Sequence, residues 1–221
     1  YGNLTLNVFF LGFSFPVSLI TMSVMFSFIR RDIGQGLKTA KQCFFWAVNL
    51  GVIIFFLFII FEMKTAEFVI ASLLFLTVVM IFSFFLLFGV HLQQKQFLLS
   101  GMMFLVFTGI TGIAYIVLMG YPEAYIRWGR LLLSCHAYLS LYGWGISGLL
   151  ILMRWNDFPL QLNSLKVILT HWLVIGVLSP LGETNIVLAI TASVSFCLFL
   201  HLFFEEKESR PINQRKKSEV N

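Results

Sequence analysis

Seven apolar stretches, each close to the roughly 20 residues that cross a bilayer core, alternate along the chain with short polar interruptions. They run about Leu4–Ile29, Cys43–Phe61, Ala66–His91, Phe97–Gly120, Leu131–Met153, Val167–Pro180 and Asn185–Phe204. In hydrocarbon an isolated strand would leave its backbone groups unpaired, so every stretch is expected to be helical. The sixth, with the core VILTHWLVIGVLSP, is the shortest; it needs Leu165 and Leu181 to reach across, or a tilted or sheltered helix. The pattern predicts an all-α, polytopic membrane protein with seven transmembrane helices over residues 1–204. The remaining segment, 205–221, reads EEKESRPINQRKKSEVN and is expected to be a disordered or loosely docked tail.

Composition agrees with that class. Hydrophobic residues make up 59% of the chain and charged residues 11%, with a mean hydropathy of +0.91, whereas soluble domains carry about a quarter charged residues. The 15 lysines and arginines are unevenly distributed. If the first loop is cytoplasmic, that side holds Arg30, Arg31, Lys38, Lys41, Lys95, Arg154, Lys166 and the basic residues of the tail, and the other side holds only Lys64, Arg127 and Arg130. The positive-inside rule then puts the N-terminus outside and the C-terminus inside. The net charge of +5 is accordingly a membrane-surface feature that contacts anionic lipid headgroups and gives no argument for nucleic acid. The aromatic run YPEAYIRW, Tyr121 to Trp128, fits an outer interfacial belt. Cys43, Cys135 and Cys197 lie in separate apolar segments without CxxC or zinc-type spacing, as expected of structural thiols.

Several chemistries are excluded or disfavoured. The middle third of each span lacks acidic and basic residues, which are the usual marks of proton relays and ion paths. The last span has no lysine for a retinal Schiff base, and no phosphate loop, His-Glu-x-x-His or serine–histidine–carboxylate pattern is present. The polar inventory reduces largely to histidines. His91 closes the third span, while His171 and His201 lie in the cytoplasmic halves of the sixth and seventh. His136, in SCHAYLSLYGWG, belongs to the outer half of the fifth, so at ~1.5 Å per residue His136 and His171 are expected to differ in depth by more than about 10 Å. Either histidine could simply donate to a carbonyl or hydroxyl of a neighbouring helix. Neutral imidazole is also a common haem ligand, and on that reading His136 leads, with His171, His201 and His91 as secondary candidates. The glycines of GITGIAY and GWGISG suit close helix packing or the approach of a flat ring.

The order His136-Ala137-Tyr138, then Leu139, Leu141 and Gly143-Trp144, then Arg154 to Pro159, Lys166, His171-Trp172 and Ile175-Gly176, resembles one helix pair of haem-copper oxidase catalytic subunits. It is also similar to small haem-copper-like membrane proteins with a His-x-His motif before a Gly-Trp pair. The likeness spans about residues 130–182. It implies cofactor-binding positions at His136 and Tyr138, with His136 on the haem iron. Tyr138 stands where the family has its second histidine, and neither a His-Pro-Glu-x-Tyr sequence nor an adjacent histidine pair occurs, so no copper centre is expected. The resemblance implies a subunit of a respiratory or electron-transfer assembly in a bacterial inner membrane or equivalent energy-transducing membrane.

Three functions therefore stay open: a haem-binding electron-transport subunit, a non-catalytic scaffold or assembly subunit, and a carrier or receptor for a small apolar ligand. In the first two, other membrane subunits are the expected partners, and no turnover is expected of the isolated chain. The third requires a cavity.

Overall fold

The computed structural model describes residue 12 and residues 14–156 and 165–204. Among these the chain forms seven helices: α1 Phe15–Ser27, α2 Gln35–Ile60, α3 Lys64–Phe88, α4 Gln93–Leu118, α5 Pro122–Met153, α6 Leu165–Gly182 and α7 Ile186–Phe204. No β-strand forms among the described residues beyond an isolated antiparallel bridge between Ile29 and Gly89. Six of the helices, α2 to α7, are long and apolar enough to cross a membrane; α1 is shorter. This is the build of an integral multi-pass membrane protein. Residues 4–11 and 13 of the first apolar stretch, residues 157–164 with Pro159 of the family resemblance, and the tail 205–221 lie outside the described residues.

The helices start earlier than hydropathy suggests. α2 begins at Gln35 rather than Cys43, because the polar turns before the apolar run are anchored: Leu37 packs on the core and Lys41 donates to the Phe26 carbonyl at 2.9 Å. The loop RRDIGQGLKTAKQ is thus mostly the first turns of a spanning helix. α5 begins at Pro122 rather than Leu131, since a proline in the first turn gives up no helical hydrogen bond and Glu123 complements the N-terminal dipole. The aromatic belt YPEAYIRW is therefore helical. α6 does take in Leu165 and Leu181 and reaches 18 residues.

α4 and α5 pack together at the centre, with α2 and α3 beyond α4, α1 against the second half of α5, and α6 and α7 paired on the other side. At one end the chain leaving α1 pairs with the chain leaving α3 through Arg30 N to Phe88 O at 3.0 Å and Val90 N to Phe28 O at 2.7 Å. Buried Lys95 donates to the carbonyls of Leu86 at 2.9 Å and Gly89 at 3.2 Å. With the Lys41 bond, these contacts satisfy carbonyls that helix ends leave over and that apolar surroundings make costly.

The glycines of GWGISG are consumed by packing. A Cβ on Gly148 would stand 2.5 Å from Thr21 Cα, one on Gly145 would meet Val17, and one on Gly143 would overlap the Phe104 ring. Small residues let α1 and α4 close on α5, so these positions hold helices and not a flat ring.

Candidate functional site

The middle of α5 departs from α-helical form: Leu139–Gly145 is a π-helical segment, and Val174–Leu178 in α6 is another. A π turn is wider and rarer than an α turn and commonly marks a functional position. Here its carbonyls are engaged by side chains. His171 Nε2 donates to Tyr142 O at 2.8 Å, Ser147 Oγ to Gly143 O at 2.7 Å, and Thr21 Oγ1 to Gly145 O at 2.9 Å. Three elements, α6, α5 itself and α1, thus hold the segment.

Above it lies a half-open cavity of about 200 Å³ lined by α1 to α5. The α2 and α3 walls are apolar, with Val52, Phe56, Leu74 and Phe75 among their side chains, whereas Ser18, Thr108, His136, Ser140 and Trp144 give the facing walls polar character. The Trp144 indole N–H donates to Ser18 Oγ at 2.8 Å, and Trp144 is fully buried. His136 Nδ1 lies 3.0 Å from Thr108 O. A carbonyl only accepts, so Nδ1 carries the hydrogen and donates, which fixes the tautomer of a neutral ring. Gly112 gives the imidazole room, since a Cβ there would stand 3.1 Å from His136 Cε1.

His136, Ser140 and Trp144 all line the cavity although eight residues separate the first from the last. Four residues of α-helix advance by about 40° beyond a full turn, so the face would drift by about 80° over this distance. The wider π turns beyond Tyr138 take up that drift. The local backbone form therefore puts an imidazole, a hydroxyl and an indole on one wall.

The other candidate histidines go elsewhere. His171 is fully buried below the cavity, stacked on Phe199 at 4.5 Å and close to the Phe97 and Phe104 rings. It meets α5 at the Tyr142 carbonyl, six residues beyond His136, about 9 Å along a helix axis. His91 and His201 are exposed. Tyr138, two residues from His136, points away from the cavity: its hydroxyl donates to Glu183 Oε1 at 3.0 Å, and Arg130 Nη2 holds Oε2 of the same carboxylate at 3.2 Å. This network ties the α6–α7 turn to α5. His136 and Tyr138 therefore face different surroundings, the cavity and the Glu183 network.

The volume beside His136 is small for a haem. About 200 Å³ falls below the ~300–1,000 Å³ usual for drug-sized ligands, and a porphyrin is no smaller than those. Of the glycines that could admit a flat ring, Gly143, Gly145 and Gly148 are filled by Phe104, Val17 and Thr21 and Gly109 by Phe75, while Gly112 faces His136. Among the described residues no group of three or more His, Cys, Asp or Glu stands together to hold a metal ion.

The sequence reading reached His136 but missed Ser18, Thr108 and the apolar walls of α2 and α3. Ser18 is one hydroxyl in an apolar run, and Thr108 contributes its carbonyl, which carries no residue-specific signal. Comparison with protein families, curated proteins and solved structures finds no match for the chain.

Proposed function

We propose that this protein is a membrane-embedded binding protein for a small, largely apolar molecule carrying one polar group, held in the cavity beside His136. The observation that carries this reading is the cavity itself, apolar on the α2 and α3 side and polar on the His136, Ser140 and Trp144 side. Its size selects the ligand. About 200 Å³ modestly exceeds the ~150 Å³ apolar cavity that takes up benzene, which suits a single substituted ring or a short branched chain. Polar groups confined to one wall would orient such a molecule, as few and fixed polar contacts do in most small-molecule sites.

Phenol is a suitable probe. Detergent-solubilised protein is expected to gain thermal stability with phenol, because a ligand that binds only the folded state stabilises it by mass action. Cyclohexane, with no polar group, is expected to give a smaller shift at equal concentration. Gly112→Leu, which drives a side chain toward His136, should remove the phenol response. A wild-type protein indifferent to phenol would sink the reading. Equally, a Soret band in the dithionite-reduced spectrum that His136→Ala abolishes would replace it with the haem-binding electron-transport subunit.

The seven helices are read as seven spans, with the N-terminus outside. Support comes from the uneven basic residues and from the clustering of Lys41, Lys95 and the Ile29–Gly89 bridge at one end of the bundle. In a variant without native cysteines, a membrane-impermeant maleimide added to intact cells is expected to label Glu123→Cys and to spare Ser218→Cys. Labelling in the opposite sense would invert the topology and move the cavity to the inner leaflet.

A further inference from the structure

We infer that His171 is the positioning residue of the cavity: its hydrogen bond to the Tyr142 carbonyl holds α5 in π register and so keeps His136, Ser140 and Trp144 on one wall. The functional meaning rests on the ligand-binding reading above, but the positioning itself rests on backbone geometry.

The bond ends on the carbonyl at the centre of the Leu139–Gly145 segment, at 2.8 Å. A π turn gives up the i to i+4 ladder locally, so it persists where other groups occupy its carbonyls. The partners at Gly143 and Gly145, Ser147 and Thr21, are hydroxyls that would bond to helix carbonyls in either register; Ser147 reaches one four residues back, as hydroxyls commonly do in ordinary α-helix. His171 differs from both. Its ring is held by Phe97, Phe104 and Phe199 rather than by α5, so its donor sits at a place set by α4, α6 and α7. Nδ1 is buried and has no hydrogen-bond partner among the described residues. The side chain therefore has one polar contact there, the Tyr142 carbonyl, and keeping a histidine in a phenylalanine cage would otherwise cost its desolvation for nothing.

The consequence for the site is geometric. Losing the π turn removes one residue's worth of slack, and everything beyond it on α5 turns by about 100° relative to the part before it. Trp144 would leave the wall that His136 occupies, its indole would lose Ser18, and Gly145 would turn away from Val17.

A disulfide reads that register without any ligand. A Cβ on Gly145 would lie 3.9 Å from Val17 Cβ, within the ~3.5–4.5 Å that a disulfide spans. In a background with Cys43, Cys135 and Cys197 replaced by serine, Val17→Cys with Gly145→Cys is expected to cross-link readily under mild oxidation, counted by loss of maleimide-reactive thiols. Adding His171→Phe, which fills the aromatic cage but cannot donate, should reduce cross-linking to the level of single-cysteine controls. Adding His171→Gln, whose amide N–H can replace Nε2–H, should restore it. If His171→Phe is not monodisperse, His171→Leu serves the same comparison. Undiminished cross-linking in the Phe or Leu variant, or failure of the Gln variant to differ from it, would overturn the proposal.

The phenol shift separates this outcome from failure of the binding reading. A wild type without a phenol response defeats that reading, while cross-linking still decides the positioning. A wild-type response that survives unchanged in a His171→Phe protein with lost cross-linking would show that the register does not serve the cavity, and would overturn the inference.

Discussion

Gly148→Ala is expected to cost about 3 kcal/mol, the upper part of the usual range for overpacking. The added methyl would stand 2.5 Å from both Cα and Cβ of Thr21. No rotamer change relieves a collision with backbone, so α1 must move off α5. That movement also stretches the Thr21 hydroxyl from the Gly145 carbonyl and the Trp144 indole from Ser18. Thermal denaturation in detergent, with Gly36→Ala as control, measures the effect. A Cβ at Gly36 would meet nothing within 4 Å, so the control should be neutral or slightly stabilising, as alanine favours helix over glycine. Equal melting temperatures for the two variants would refute the close α1–α5 contact.

Trp144→Ala should destabilise by about 3 kcal/mol, the low end of the range for removing a large buried aromatic side chain. The low end applies because lipid solvates apolar groups nearly as well as a protein core does, which leaves lost dispersion contacts and the indole hydrogen bond as the main terms. The variant also changes the ligand. Trp144 forms part of the cavity boundary, and its removal should extend the space enough for a two-ring probe. The measurement is a pair of thermal shifts: 2-naphthol is expected to stabilise Trp144→Ala but not the wild type, and phenol to lose its advantage. Unchanged stability, or no gain in response to the larger probe, would show that the indole does not bound the site. Trp144→Phe is expected to fall between the wild type and Trp144→Ala, since it keeps one aromatic ring but loses the bond to Ser18 and part of the buried volume.

Hydropathy was sufficient to find the helices because it reports directly on the lipid-facing length of each apolar run. It placed their ends badly where a helix continues into polar surroundings, as Gln35–Gln42 does through Leu37 and the Lys41 bond. Those anchors lie in sequence, but their partners are on other helices. The same holds more strongly at the site. His136 stands out in the sequence as a polar side chain in an apolar span, yet its partner is a backbone carbonyl, which any residue at 108 would offer. Ser18 and Trp144 meet across 126 residues, a pairing that no local pattern expresses. The π segments were invisible for a related reason: LSLYGWG has the composition of an ordinary spanning helix, and the donors that meet its carbonyls from outside, Thr21 and His171, lie on other helices.

The resemblance to haem-copper subunits singled out α5 and α6, and these are the helices that carry the paired π segments. Between them lies the fully buried imidazole of His171 against Tyr142 O. The two expected cofactor-binding positions, His136 and Tyr138, are divided between the cavity and the Glu183 network.

The bridge between Ile29 and Gly89, with Lys41 and Lys95 clamped on neighbouring carbonyls, gives the bundle the mechanics of a clothes-peg. Among the described residues, the hydrogen bond that ties α1 directly to α2 lies at that end. The cavity is bounded by Phe15 at the start of α1, Phe56 near the end of α2, Ala71 in the second turn of α3 and Ile116 near the end of α4, all toward the unfastened end. If the ligand-binding proposal holds, a small parting of α1 and α2 at that end would open the cavity beside its polar wall, and a molecule dissolved in lipid would enter sideways there without crossing water.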